Sequence, residues 1–199
     1  MSIHPDDYDI DAVRAEWIGT VVSRSEGRYP VEYDAIRRHC HMTGDLNPLF
    51  LDPEFAREKG PHGAVVVPPS ALPRYFASNG AWPRAERSVP CSEDGRTRQK
   101  RPGFTLGVPT PGDRGINMGT EWEFHEPIRV GDQLRSELTV TDIFVKAIKL
   151  DPAAVWIVSE YAIFNQQQSL VASWRNTTLV HRAPKQIAAD AARTSGSEG

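Results

Sequence analysis

The last third of the chain restricts the fold most. Four runs, Thr120 to His125, Gln133 to Val145, Val155 to Asn165 and Leu170 to Val180, are rich in β-branched and aromatic residues, the composition of strands. In the second run Leu134, Leu138 and Val140 alternate with Arg135, Glu137, Thr139 and Thr141, and a period of two gives a strand one dry face and one wet face. Turn chemistry at Gly131-Asp132, Asp151-Pro152 and Asn165 to Gln168 separates the runs. Long consecutive strands joined in this way imply an antiparallel sheet.

The earlier part reads differently. Trp17 to Arg24 predicts a short strand, ended by a turn at Glu26-Gly27. Asp34 to Met42 places Ile36 and Cys40 four apart, which predicts a short amphipathic helix with Cys40 in the core. Asp52-Pro53 is a cap followed by a favoured first helical residue, so Glu54 to Lys59 is expected to be helical up to Gly60. Ser70 is expected to cap a helix holding Leu72, Tyr75 and Phe76, with Pro73 tolerated in its first turn. From about Asn79 to Met118 the chain is rich in Pro, Gly and charge and reads as a long loop. The expected organisation is a polar segment over 1–16, one domain over 17–182 with its loop at about 79–118, and a disordered tail over 183–199. Helices early and strands late describe an α+β hot-dog fold, an antiparallel sheet wrapped around a central helix at Leu72 to Phe76.

With 199 residues, 39% of them hydrophobic, the chain buries a core without staples. A formal net charge of −3 gives no general attraction to nucleic acid or an anionic membrane. No uncharged run approaches the roughly 18 residues needed to cross a bilayer, so neither is expected as a partner. Cys40 and Cys91 make no disulfide framework, and the N-terminus lacks a basic and an apolar region; the expectation is a reduced, cytoplasmic protein. The local basic cluster Arg84, Arg87, Arg96, Arg98, Lys100 and Arg101 reads either as a solvated loop or as a site for phosphates of a nucleotide-bearing thioester.

The most specific segment is Thr43-Gly44-Asp45-Leu46-Asn47-Pro48-Leu49-Phe50-Leu51-Asp52. It resembles the MaoC-like, or hydratase 2, family, whose signature runs Gly-Asp-x-Asn-Pro, an aliphatic residue, then His. The resemblance continues through PEFAREKG, the apolar stretch into Pro68-Pro69, EWEFHEPIRVGD and SLVASWRNTTLV, and is strongest to the N-terminal type, the FAS1-like dehydratase domain. It covers all but the termini and the long loop. It implies reversible hydration of a trans-2-enoyl thioester: an Asp and a His activate water, and a backbone N–H at the central helix polarises the carbonyl. No metal or redox cofactor is implied, only a CoA or acyl carrier protein thioester.

Carried over by position, the catalytic Asp is Asp45 and the motif Asn is Asn47, a substrate-side residue, while the His position is Phe50. Phenylalanine transfers no proton. Counting on from Asp45, the His-Gly dipeptide that supplies the oxyanion N–H falls on Val67-Pro68, and proline has no N–H. The resemblance therefore implies a degenerate half whose partner, a second MaoC-like chain or another copy in a homodimer, holds the intact motif. Asp45 reads equally as an Asx turn. His39, His41 and His62 are the candidate replacement bases, with His62 nearest the expected acyl tunnel; His125 reads as structural. Phe50, Tyr75, Phe76 and Trp82 are expected to line an acyl pocket, with Tyr75 and Phe76 equally explained as ordinary core, and Arg96, Arg98, Lys100 and Arg101 to meet the carrier. No phosphate-binding Gly loop, nucleophile elbow or metal-spaced Cys/His set is present. The rival functions are a non-catalytic acyl-thioester binding or scaffolding subunit, and a hot-dog thioesterase.

Overall fold

The computed structural model describes residues 3–73, 76–77 and 105–196. Its centre is a five-stranded sheet of β1 (Val21–Glu26), β2 (Arg114–Phe124), β3 (Arg135–Val145), β4 (Val155–Phe164) and β5 (Leu170–His181), in the order β1-β3-β4-β5-β2. Every neighbouring pair is antiparallel. Alternation sorts the side chains as the sequence requires. Val155, Ile157 and Ile163 of β4 lie on the dry face with Leu138 and Val140 of β3. The other face carries charge, including the cross-strand pairs of Arg175 with Glu121 and Glu160. This is the one-sided sheet of an α+β hot-dog fold, as expected.

Helices α1 (Ile10–Trp17) and α2 (Tyr33–Thr43) sit over opposite ends of the dry face. Ile10, Val13 and Trp17 of α1 pack against Val140, Ile143, Val155, Ile157 and Val180. Ile36 and Cys40 of α2 enter a second cluster with Leu134, Ile163, Val171 and Ala172. Full burial of Ile36 alone is worth about 1.5–3 kcal/mol relative to exposure. Helix α2 stops where Gly44 turns into the left-handed region at φ 72°, a conformation costly for any residue with a Cβ. Two short helices follow, α3 (Pro48–Leu51) and α4 (Pro53–Lys59), each beginning with a proline.

Four expectations need correction. The segment before residue 17 is not merely polar: it forms α1, capped by Asp9 accepting the Ala12 N–H at 3.0 Å, so Trp17 ends a helix rather than opening a strand. Residues 114–118, expected in the loop, belong to β2, because β5 supplies the pairing that the local sequence does not advertise. The tail beyond residue 183 is helical in α5 (Pro184–Gly196). The described part of the expected central helix is only a 3-10 turn at Pro69–Ala71. There Pro73 excludes the helical region for the residue before it, and Leu72 sits at φ 49°. Tyr75 and Trp82 lie outside the described residues, as do Cys91 and the whole basic cluster with Arg96, Arg98, Lys100 and Arg101.

Candidate functional site

The Asp-x-Asn-Pro motif builds a staircase of local caps. The Asp45 carboxylate accepts the Asn47 N–H at 3.0 Å, the Asn47 side-chain oxygen accepts the Leu49 N–H at 3.0 Å, and Asp52 accepts the N–H groups of Glu54 and Phe55. Each bond satisfies a donor left over at a helix start. The Tyr33 hydroxyl donates to the Leu51 carbonyl at 2.5 Å and so ties α3 to α2. With the backbone held in this way, Leu49 and Phe50 face inward.

They face a cavity of about 370 Å³, large enough for a small ligand. Its other walls come from the turn after α4, the segment 64–73 and the corner at 124–128. An isolated bridge between Val66 and Arg129, with the Val67 N–H donating to the Ile128 carbonyl at 2.8 Å, fastens two of these walls together. Pro61, Pro69, Pro73 and Pro127 make much of the lining, and proline rings stiffen it because φ is locked. The wall is largely apolar.

The structure brings Phe50 and His62 of the expected site together on this cavity. Asp45 and Asn47 do not line it; one Asp45 carboxylate oxygen and the Asn47 side-chain oxygen each accept a backbone N–H. Phe76 packs into the cluster beneath. At the position expected to correspond to the oxyanion donor, the Val67 N–H is already bonded and Pro68, fully buried, has none to give. His39 shares a hydrogen bond with the Ser70 hydroxyl at 2.9 Å, His41 is exposed, and neither lines the cavity. Burial raises the Cys40 thiol, with the Asp45 charge pushing the same way, so it stays protonated in the core.

Phe124, His125 and Glu126 also line the cavity. The His125 and Glu126 N–H groups both reach the Val171 carbonyl, at 2.9 and 3.3 Å, and two residues opposing one is the arrangement of a β-bulge. The His125 ring meets the Ser173 hydroxyl at 3.3 Å. Ser173 lies between Ala172 and Trp174, which face the core, so that ring is turned to the wet face. The sequence pointed to this corner without revealing that Phe124 lines the cavity, since that depends on pairing with β5. Among the described residues no three His, Cys, Asp or Glu side chains gather in the manner of a metal site.

Residues 16–174 match the family model described as the FAS1-like dehydratase domain region. The probable enoyl-CoA hydratase alpha subunit of Thermomonospora curvata is 28% identical over 130 residues, 64% of this chain and 38% of that relative. The chain thus spans little more than a third of that relative's length. Two solved structures share the fold. The ChsH1-ChsH2 complex from Mycobacterium tuberculosis superposes with a TM-score of 0.59 at 18% identity, over 86% of this chain and 88% of that one. The MaoC-like dehydratase from Rhodospirillum rubrum gives 0.52 at 22%, over 86% and 97%. From its Asp-x-Asn-Pro staircase to the sheet that carries it, the chain belongs to the FAS1-like dehydratase domain family of MaoC-like hydratases and dehydratases.

Proposed function

We propose that this chain is one half of an (R)-type enoyl-thioester hydratase/dehydratase: it binds the acyl group, and a second MaoC-like half supplies the complete Asp/His pair. One observation carries the reading. The motif loop is folded and a cavity lies beneath it, yet Phe50 stands on that cavity in the His position and Asp45 is turned into a backbone cap. Binding is retained while proton transfer is not. The relative from Thermomonospora curvata is named as a subunit, and the matched structures include the ChsH1-ChsH2 and HadBC complexes, which supports a partnered arrangement. The carrier is CoA or acyl carrier protein, with Arg96, Arg98, Lys100 and Arg101 assigned to its phosphates, and no metal or redox cofactor takes part. A buried, unpaired Cys40 fits a cytoplasmic setting.

The test is loss of enoyl absorbance with crotonyl-CoA, measured on the chain alone and after co-expression with an intact-motif MaoC-like chain from the same host. The lone chain is expected to turn over slowly, since one missing oxyanion donor alone costs about 100- to 1000-fold. The pair is expected to be active. Rapid turnover by the lone chain overturns the reading, and thiol release in place of hydration identifies a thioesterase.

A further inference from the structure

On the dry face, Tyr161, Trp174, Trp122 and Phe124 form one continuous stack. Tyr161 and Trp174 lie 4.7 Å apart at 9°, Trp174 and Trp122 5.4 Å apart at 4°, and Trp122 and Phe124 6.0 Å apart at 15°. The register explains the first three, because Tyr161, Trp174 and Trp122 are direct cross-strand neighbours on β4, β5 and β2. Phe124 follows Trp122 by two residues and ends the stack at the cavity. It is 47% exposed, and its second face has no ring partner among the described residues. Phe50 lines the same cavity and makes no ring contact with Phe124. Two aromatic residues and four prolines on the lining stiffen this wall.

We propose that the cavity selects an acyl group bearing an aromatic ring, which extends the stack by lying against Phe124, over a linear acyl group of equal carbon number. This rests on the acyl-binding reading above. A stiff wall gains from a rigid ligand, because a linear chain must freeze several rotors to fill the same space. Offset stacking adds an attraction that an aliphatic chain lacks. Greater apolar area of the linear chain works in the opposite direction, so a preference for the ring reports the shape and stacking of the wall.

The experiment compares 3-phenylpropanoyl-CoA with nonanoyl-CoA, both saturated and both with nine acyl carbons, by calorimetric titration of the full chain. The phenyl ligand is expected to bind about three- to tenfold more tightly, the size of one aromatic pair. In Phe124→Leu that ratio is expected to fall to about one, chiefly through weaker binding of the phenyl ligand. Phe50→Leu, elsewhere on the lining, provides a second variant should Phe124→Leu lose its fold, and it should also lower the ratio. Tighter binding of nonanoyl-CoA, or a ratio unchanged in both variants, overturns the proposal and leaves acyl binding intact. Failure of both ligands to bind removes the acyl-binding reading itself, and this proposal with it.

Discussion

At the scale of single residues, Asp45, Asn47 and Asp52 show how a motif can serve the fold. The caps made by Asp45, Asn47 and Asp52 depend on side-chain oxygens near helix starts, and those bonds are worth keeping for the fold alone. On the proposed reading, replacing Phe50 is therefore not expected by itself to rebuild an acid–base pair: one Asp45 oxygen already accepts the Asn47 N–H, and Pro68 offers no N–H. For Phe50→His in the lone chain, hydration of crotonyl-CoA is expected to rise far less than the roughly 100-fold that a positioned acid–base group contributes. A gain of that size in the absorbance assay would show that the missing imidazole was the whole defect.

At the scale of elements, an ion network fixes the C-terminal end. Arg182, at the end of β5, donates to Asp151 before β4 at 2.7 Å and to Asp190 on α5 at 2.9 Å. Arg182 is 5% exposed and Asp151 fully buried. Burial pushes the Asp151 carboxyl up, but hydrogen bonds from the Arg182 side chain and backbone and from Ala153 outweigh it and hold the group below its usual range. A depressed folded value means that the stabilisation is complete above the unfolded value of about 3.9 and is lost as pH falls through the folded one. Asp151→Asn leaves Arg182 short of one partner in a buried place and is expected to cost about 3–5 kcal/mol. Urea unfolding at pH 7 measures this. The stability gap between the two proteins should narrow below about pH 4, and a constant gap would assign the loss to packing.

At the scale of the whole molecule, the sheet has one long edge with nothing upon it among the described residues. Strand β2 pairs with β5 on one side only, and Ile116 and Met118 on it are 47% and 51% exposed. Exposed edges of this length are natural sites for another strand, and the proposed second half is assigned there. The double variant Ile116→Lys/Met118→Lys should weaken the co-purified complex by at least about tenfold, near 1.4 kcal/mol, as read by sedimentation. An unchanged complex would place the interface elsewhere.

The late strands, α2, the caps at Asp52 and the family itself were legible in the sequence because each depends on neighbours a few residues away: alternation, a four-residue spacing, an oxygen two or three positions before an N–H. Phe50, in the position where the family motif has His, was legible in the same local terms. What lay beyond such reading depends on distant partners. Residues 114–118 became a strand only by pairing with β5, and α5 sits where Arg182 and Asp190 meet. The helix expected at Leu72 to Phe76 gave way, in its described part, to Pro73. The cavity is the clearest case: its walls come from residues 49–73 and 124–128, pairing with β5 sets Phe124 on the same face as Trp122, and the aromatic stack crosses three strands. Tertiary structure decided these features because each is a contact between segments far apart in the chain, and no local pattern encodes which segments will meet.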